Sequence, residues 1–319
     1  MKKILITGGY GILGSCLANK LDDMGHDVFI LDRSKKERTT LNRFINKSIQ
    51  KQKGNFNELK SLLNIIKKKK FDVIFHLGAI TQVIDAYKSP YDTFKTNVMG
   101  TINILESIRI LDINTKVIFS SSDKAYGTMM KKDYSEDDRL HGDFPYDVSK
   151  SSSDLIAQSY SKTYGLSVAI IRSGNIFGPA DFNLDRLIPG TIVNALRGKP
   201  ITLRTSGKLR RDYIYVSDVA DAYIKMMKFM FKDKKKLHIY NLGSKNNFNA
   251  NQVVDKIYKI MNVGLKSIIK DKSRIEIEAQ KLNFNKAKKD LKWNPKIDFK
   301  SGVLKTLKWY RDNLHLFNK

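Results

Sequence analysis

Short apolar runs alternate with longer stretches of helical periodicity through the first half of the chain, and this rhythm restricts the possible folds more than any other feature. KKILIT (2 to 7), DVFIL (27 to 31), FDVIFHL (71 to 77), KVIFS (116 to 120) and LSVAII (166 to 171) read as strands. Segments near 11 to 24, 57 to 69, 91 to 111 and 146 to 164 read as the helices between them. Short continuous apolar runs suit strands covered on both faces, and the intervening helices supply the long crossovers that parallel pairing needs. The expected class is therefore α/β, a doubly wound parallel sheet. After Gly174 the rhythm breaks, with Gly178, Pro179, Pro189 and Pro200 punctuating shorter elements. The expected layout is a sheet domain over 1–175 and a smaller domain over 176–319, with HIYNLG (238 to 243) returning a strand to the first sheet.

Composition narrows the function classes. With 319 residues, 41% hydrophobic and 28% charged, the chain can bury a substantial core. No apolar run approaches the roughly 18 residues of a membrane span. The opening MKKILITGG has lysines before apolar residues, but Thr7, Gly8 and Gly9 cut the run short, so it reads as a first strand and not a leader. One cysteine, Cys16, excludes an internal disulfide framework, and the five histidines have no metal-ligand spacing. A cytoplasmic protein without metal is expected. The net charge of +26 would suit a polyanion, but the lysines are spread along the chain in runs such as 67 to 70 and 234 to 236. Such runs read as solvated helix ends, so neither a nucleic acid nor a membrane is the expected partner. A small anionic substrate would also be drawn by this field.

Directly after the first strand stands TGGYGILG, with Gly8, Gly11 and Gly14 leading into a helix. Glycines there allow a tight turn and close backbone approach, so that a pyrophosphate can rest on the first amides of the helix. The next strand ends at Asp32, roughly 20 residues on, where a carboxylate can accept hydrogen bonds from an adenosine ribose. That carboxylate would repel a 2′-phosphate, which favours NAD over NADP, and the adjacent Arg33 does not reverse the preference.

Two further motifs carry chemistry. SSSDKAYG (120 to 127) follows KVIFS and gathers Ser122, Asp123 and Lys124 where a buried strand ends. YDVSK puts Tyr146 and Lys150 on one face of a helix, although the same spacing occurs at Tyr91 and Lys95. Position separates the two pairs, because only Tyr146 opens the helix that follows the SSSDK turn. A phenol of ordinary pKa near 10 needs a neighbouring cation to serve as a base at neutral pH, and Lys150 can supply that charge.

Together these motifs resemble the extended short-chain dehydrogenase/reductases of the nucleotide-sugar epimerase and dehydratase group. The resemblance runs nearly end to end, through HLGA (76 to 79), NVMGT (97 to 101), RSGNIFGP (172 to 179), RRDYIYVSDVADAY (210 to 223) and LKWNPKIDFKSGVLKTLKWY (291 to 310). It implies a Rossmann domain with NAD and a C-terminal domain that holds a nucleoside-diphosphate sugar. It also implies cofactor contacts at Ile12, Asn55, Phe56 and Leu77, at Gly78, Ala79, Asn97 and Ser120, and at Tyr146. Gly78 stands where the group commonly has alanine, and Asn55 where it usually has aspartate. Ser122 corresponds to the residue that hydrogen-bonds the reacting hydroxyl, Tyr146 to the base for the sugar 4-OH, and Lys150 also to a nicotinamide-ribose contact. Asn175 and Arg211, with Thr81, Arg186 and Arg204, are the expected substrate contacts, arginine suiting phosphate through its planar fork. Arg211 could instead pair with Asp212 or Asp218. Trp293 and Trp309 read as packing residues. The helices at 91 to 111 and 146 to 164 resemble those of a four-helix dimer interface, so a homodimer or higher oligomer is expected.

Epimerases of the group carry small neutral residues after the catalytic serine or threonine, whereas 4,6-dehydratases carry an acid and a second ionisable group. Asp123 and Lys124 are similar to the pair of CDP-glucose 4,6-dehydratases. The implied reaction oxidises C4 with Tyr146 as base, removes the C5 proton with Lys124, releases the 6-hydroxyl as water with a proton from Asp123, and returns hydride to C6. It needs Asp123 to hold a proton and Lys124 to lose one, and desolvation under a bound sugar, with Lys150 near Lys124, acts in both directions required. A 4-epimerase or C4 oxidoreductase is the alternative, in which this pair only shapes the pocket.

Overall fold

A computed structural model describes residues 1–32, 41–128, 133–270 and 279–317. Its strands, in chain order, are β1 (Lys3–Thr7), β2 (Asp27–Asp32), β3 (Gln50–Lys53), β4 (Val73–His76), β5 (Lys116–Ser120) and β6 (Val168–Ser173), followed by β7 (Asn175–Phe177), β8 (Thr202–Leu203), β9 (Arg210–Tyr215), β10 (Leu237–Leu242), β11 (Asn247–Asn249) and β12 (Ile268–Ile269). β1 to β6 and β10 form one seven-stranded sheet in the order β10-β6-β5-β4-β1-β2-β3, parallel throughout. This is the doubly wound Rossmann arrangement, with the chain reversing its direction of travel across the sheet between β1 and β4. Alternation along the strands feeds two cores: Ile4, Ile6, Val28, Ile30, Val73 and Phe75 face one layer of helices, and Leu5, Phe29, Leu31 and Ile74 face the other.

β3 has no counterpart among the apolar runs. Its QKQK pattern carries no hydrophobic signal, because it is an edge strand paired to β2 on one side only, Phe29 to Gln50 through Asp32 to Lys53. Lysines on such an edge discourage pairing with a second chain. The expected helix over 91 to 111 is three segments in line: Pro90–Phe94, a π-helical turn at Lys95–Met99, and Gly100–Leu111. Pro145 opens the helix Pro145–Tyr164 at a position where a missing N–H costs nothing, and Gly165, at φ +69°, ends it.

The second half adds a small sheet, β11-β9-β7, and a two-stranded pair, β12-β8. A third core lies there, with Ile188, Ile192, Val253, Ile257, Val303 and Leu307 at its centre. Trp293 is 2% exposed and donates its indole N–H to Asp218 O at 2.8 Å. Trp309 stands edge-on to Phe44 and Phe182, so a residue of the first half packs into the aromatic cluster of the second.

Candidate active site

The carboxyl ends of β1, β2, β4, β5 and β6 open into a cleft of about 1450 Å³. Gly8 and Gly78, in the loops after β1 and β4, meet at its floor. Gly8 has φ +68°, and a Cβ on it would lie 2.8 Å from Gly78 N. A Cβ on Gly14 would lie 2.3 Å from Gly8 O, which binds the helix Ile12–Asp23 tightly under the turn. Thr7 Oγ1 secures the two loops by accepting from Leu77 N at 3.2 Å and Gly78 N at 3.0 Å. The cradle is therefore bare backbone at a helix N-terminus, the form that a pyrophosphate needs. Gly11, Ile12, Asp32, Asn55, Phe56, Leu77 and Ala79 line the same wall. Arg33 lies outside the described residues.

Asn97 does not line the cleft. The π-helical turn swings it inward, where its carboxamide accepts from Ile80 N at 2.8 Å and donates to Ile80 O at 3.0 Å and Ser149 Oγ at 2.9 Å. It ties the loop after β4 to the helix Pro145–Tyr164, and an extra residue in a helical turn is what such a re-aimed side chain requires.

β5 ends in the turn that holds Ser120, Ser122, Asp123 and Lys124, all on the cleft. Ser122 caps a short 3₁₀ turn, Asp123–Tyr126, by accepting from Lys124 N at 3.2 Å, and its hydroxyl donates to Asp123 Oδ1 at 3.1 Å. Asp123 is 2% exposed, and its Oδ2 has no hydrogen-bond partner among the described residues. Lys124 Nζ donates to Gln280 Oε1 at 2.5 Å. Neither side chain is turned into bulk solvent.

Tyr146 and Lys150 face this turn from the first two turns of the helix Pro145–Tyr164. Lys150 Nζ donates to Ser120 O at 2.9 Å, and burial lowers its pKa to about 8, opposed by the Asp154 carboxylate. Burial pushes the Tyr146 phenol up to about 12, while its hydrogen bond with Ser122 acts against the rise. This differs from the sequence expectation of a phenol made acidic by Lys150: the ammonium is spent on a carbonyl, and desolvation of the phenolate dominates. A buried ion pair supports the turn from below. Arg172 Nε donates to Asp154 Oδ2 at 2.9 Å, Ser121 Oγ to the same oxygen at 2.7 Å, and Arg172 Nη1 to Tyr126 Oη at 2.8 Å. Asp147, beside Tyr146, is 1% exposed with neither oxygen in a fully formed hydrogen bond among the described residues. Burial raises its carboxyl to about 6 against the pull of Lys124.

The opposite wall carries the arginines. Arg186 reaches across the cleft, donating Nη1 to Asp181 Oδ2 at 3.0 Å and Nη2 to Thr81 Oγ1 at 3.1 Å. Arg204 pairs with Asp185 at 2.7 Å, and Arg211, 5% exposed, donates to Arg210 O at 2.8 Å. Asp212 accepts from Leu282 N and Asn247 Nδ2, and Asp218 from Ile297 N. Asn175, at the start of β7, is exposed on the same wall. Sequence reasoning did not single out Asp147, Asp154, Arg172 or Gln280. Asp154 alone offered a local signal, four residues beyond Lys150 on one helix face.

A profile of the NAD dependent epimerase/dehydratase family matches residues 4–243. The chain belongs to that family. It is 29% identical, over 98% of its length, to a trifunctional UDP-glucose 4,6-dehydratase/UDP-4-keto-6-deoxy-D-glucose 3,5-epimerase/UDP-4-keto-L-rhamnose-reductase of Arabidopsis thaliana, but spans only 47% of that protein. Among solved structures it is similar to UDP-glucose 4-epimerase of Thermotoga maritima, at TM-score 0.89 and 25% identity, covering 98% of this chain and 99% of that one. It is also similar to dTDP-glucose 4,6-dehydratase of Bacillus anthracis in complex with NAD, at TM-score 0.85 and 26% identity, covering 99% and 98%. The epimerase/dehydratase family uses NAD, and the glycine cradle fits that cofactor. No described helix is long and apolar enough to cross a membrane. Among the described residues no cluster of three or more His, Cys, Asp or Glu could hold a metal ion.

Proposed function

We propose that this protein is an NAD-dependent nucleotide-sugar 4,6-dehydratase, converting an NDP-hexose of the CDP-glucose type to the NDP-4-keto-6-deoxyhexose and water. The observation that carries the reading is the juxtaposition of Asp123 and Lys124 with Ser122 and Tyr146 on one wall of the cleft. NAD, when bound, would supply the hydride acceptor for C4 and the hydride donor for C6. Gly8, Gly11 and Gly14 would hold its pyrophosphate, Asp32 its adenosine ribose and Lys150 its nicotinamide ribose. Ser122 hydrogen-bonds the 4-OH, and Tyr146 takes the 4-OH proton, its hydrogen bond with Ser122 opposing the rise that burial gives the phenol. The C4 ketone then acidifies C5–H. Lys124 accepts that proton through Nζ, Asp123 protonates the departing 6-hydroxyl, and as hydride reaches C6 Lys124 gives its proton back to C5, while Tyr146 releases and Asp123 regains a proton through solvent. Arg186 and Arg211, with Asn175, Arg204 and Thr81, are the diphosphate and sugar contacts in this reading.

The concentration of exposed apolar residues supports a homodimer. Seven of the thirteen exposed large hydrophobics among the described residues, Tyr87, Tyr91, Phe94, Met99, Ile110, Leu155 and Tyr164, lie on the neighbouring helices between 83 and 111 and between 145 and 164.

The test is a panel of CDP-, dTDP-, UDP- and GDP-hexoses followed by mass spectrometry. A product lighter by one water is expected from one of them. An epimer of unchanged mass would instead assign the 4-epimerase reaction, and stoichiometric reduction of the cofactor would assign a net oxidation. Lys124→Ala should abolish water loss while NAD still binds, and full-rate dehydration by that variant removes Lys124 as the base.

A further inference from the structure

Gln280 comes from far along the chain, beyond residue 243 where the family match ends. Its side chain is 1% exposed. The main chain anchors it on both sides, since Gln280 N donates to Arg210 O at 3.1 Å and Gln280 O accepts from Asn247 Nδ2 at 2.7 Å. From β9 and β11 the carboxamide therefore reaches the Asp123–Tyr126 turn. Nε2 donates to Asp123 O at 2.9 Å, and Oε1 accepts from Lys124 Nζ at 2.5 Å. The orientation of the amide is not arbitrary. A carbonyl can only accept and an ammonium can only donate, so one arrangement of O and N satisfies both partners.

We propose that Gln280 is the positioning residue for Lys124: its carboxamide, tied to the main chain of Asp123, holds the amine at the cleft wall with a partner that carries no charge. The inference rests on Lys124 being the C5 base. A lysine has a long flexible stem and is poorly aimed without a fixed partner. A carboxylate could aim it equally well but would favour the ammonium form, whereas an amide oxygen accepts from an ammonium or an amine. The charged groups around Lys124 make that neutrality matter. Asp147 faces it from the helix Pro145–Tyr164, Asp123 lies in its own turn, and Asp212 of β9 is close enough to Asp123 to feel its charge. A carboxylate at 280 would place one more anion directly on the amine.

Gln280→Leu and Gln280→Glu in the full-length, NAD-loaded protein test the proposal. For Gln280→Leu, deuterium exchange at C5 and water loss should fall by about tenfold or more, while C4 oxidation, read as nicotinamide absorbance in a single turnover, and KM change by less than about threefold. For Gln280→Glu, elimination should be restored at high pH, with the rising limb of the pH profile displaced upward by about one unit or more. A purely structural glutamine would slow both chemical steps alike and leave the pH profile in place, which overturns the proposal, as does unchanged elimination in Gln280→Leu. A second readout needs no turnover. In protein carrying ¹³C at lysine Cε, the resonance lost in Lys124→Met should titrate about one unit or more higher in Gln280→Glu. If that shift appears and the wild type dehydrates no hexose in the panel, the dehydratase reading fails and the clamp stands. If the resonance does not move, the clamp fails whatever the activity.

Discussion

Tyr146 and Lys150 share a helix face and a water-poor wall, and burial moves them in opposite directions, the phenol up to about 12 and the amine down to about 8. Both shifts disfavour charge behind this wall, yet an amine of about 8 is still mostly an ammonium at neutral pH, and in the proposed reaction the phenol needs a lower pKa than burial gives it. Tyr146→Phe should therefore lower turnover by about 10²- to 10⁴-fold, the ordinary worth of a general base, with NAD affinity changed only a few-fold. Steady-state rates and a fluorescence titration check the two halves; a matching loss of NAD affinity would make the hydroxyl a cofactor contact and not a base. Asp147 yields a prediction about stability. A carboxyl that binds its proton more tightly folded than unfolded supports the fold fully below about pH 4, and this support is lost as pH rises through its folded value of about 6. Asp147→Asn removes that dependence. The stability of the wild type relative to the variant should fall by about 2–3 kcal/mol between pH 4 and pH 7.5, measured by urea unfolding at both. A gap that stays constant across that range would mean that the carboxyl is hydrated or paired.

The turn after β5 and the helix Pro145–Tyr164 are separate elements held in register by the Arg172–Asp154 pair, whose side chains are 1% and 0% exposed. Breaking such a pair leaves a bare charge in the interior, so Asp154→Asn and Arg172→Leu should each cost about 3–5 kcal/mol. Replacing both with apolar residues together should recover much of the loss. Calorimetry on the two single variants and the double variant checks this, and additive losses would argue against coupling. At this scale the sequence was readable where local pattern carries the information. Apolar runs marked β1, β2, β4, β5 and β6, and the glycine spacing marked the cradle, because in both a neighbour in sequence is a neighbour in space. β3 escaped since an edge strand needs no apolar face. The π-helical turn escaped because one extra residue hardly alters a helical periodicity, yet it decides where Asn97 points. Arg172 meets Tyr126, and Gln280 meets Lys124, across separations of 46 and 156 residues. No local window contains both partners of such contacts, so the residues of the turn stood out in the sequence while their supports did not.

Across the whole molecule, the excess of lysine bears on association as much as on substrate capture. Each chain carries +26, so two copies repel one another at low salt even where their surfaces fit. In the proposed homodimer the attraction would come from the exposed apolar residues on the helices between 83 and 111 and between 145 and 164, which include Tyr91 at 74% exposure, Leu155 at 53% and Tyr164 at 54%. Removing such side chains from water is insensitive to screening, whereas repulsion between like charges weakens as the Debye length shrinks from about 10 Å at 0.1 M toward about 3 Å at 1 M salt. The two effects combine to give association that strengthens with added salt, opposite to the behaviour of an interface held by ion pairs. Sedimentation velocity should therefore show the dimer fraction rising as sodium chloride is increased. Leu155→Glu combined with Met99→Glu should leave a monomer whose NAD affinity is unchanged within a few-fold, because the glycine cradle and the cleft are built from one chain. A wild type that remains monomeric at every salt concentration, or a double variant that still dimerises, would place the contact elsewhere on the surface or remove it.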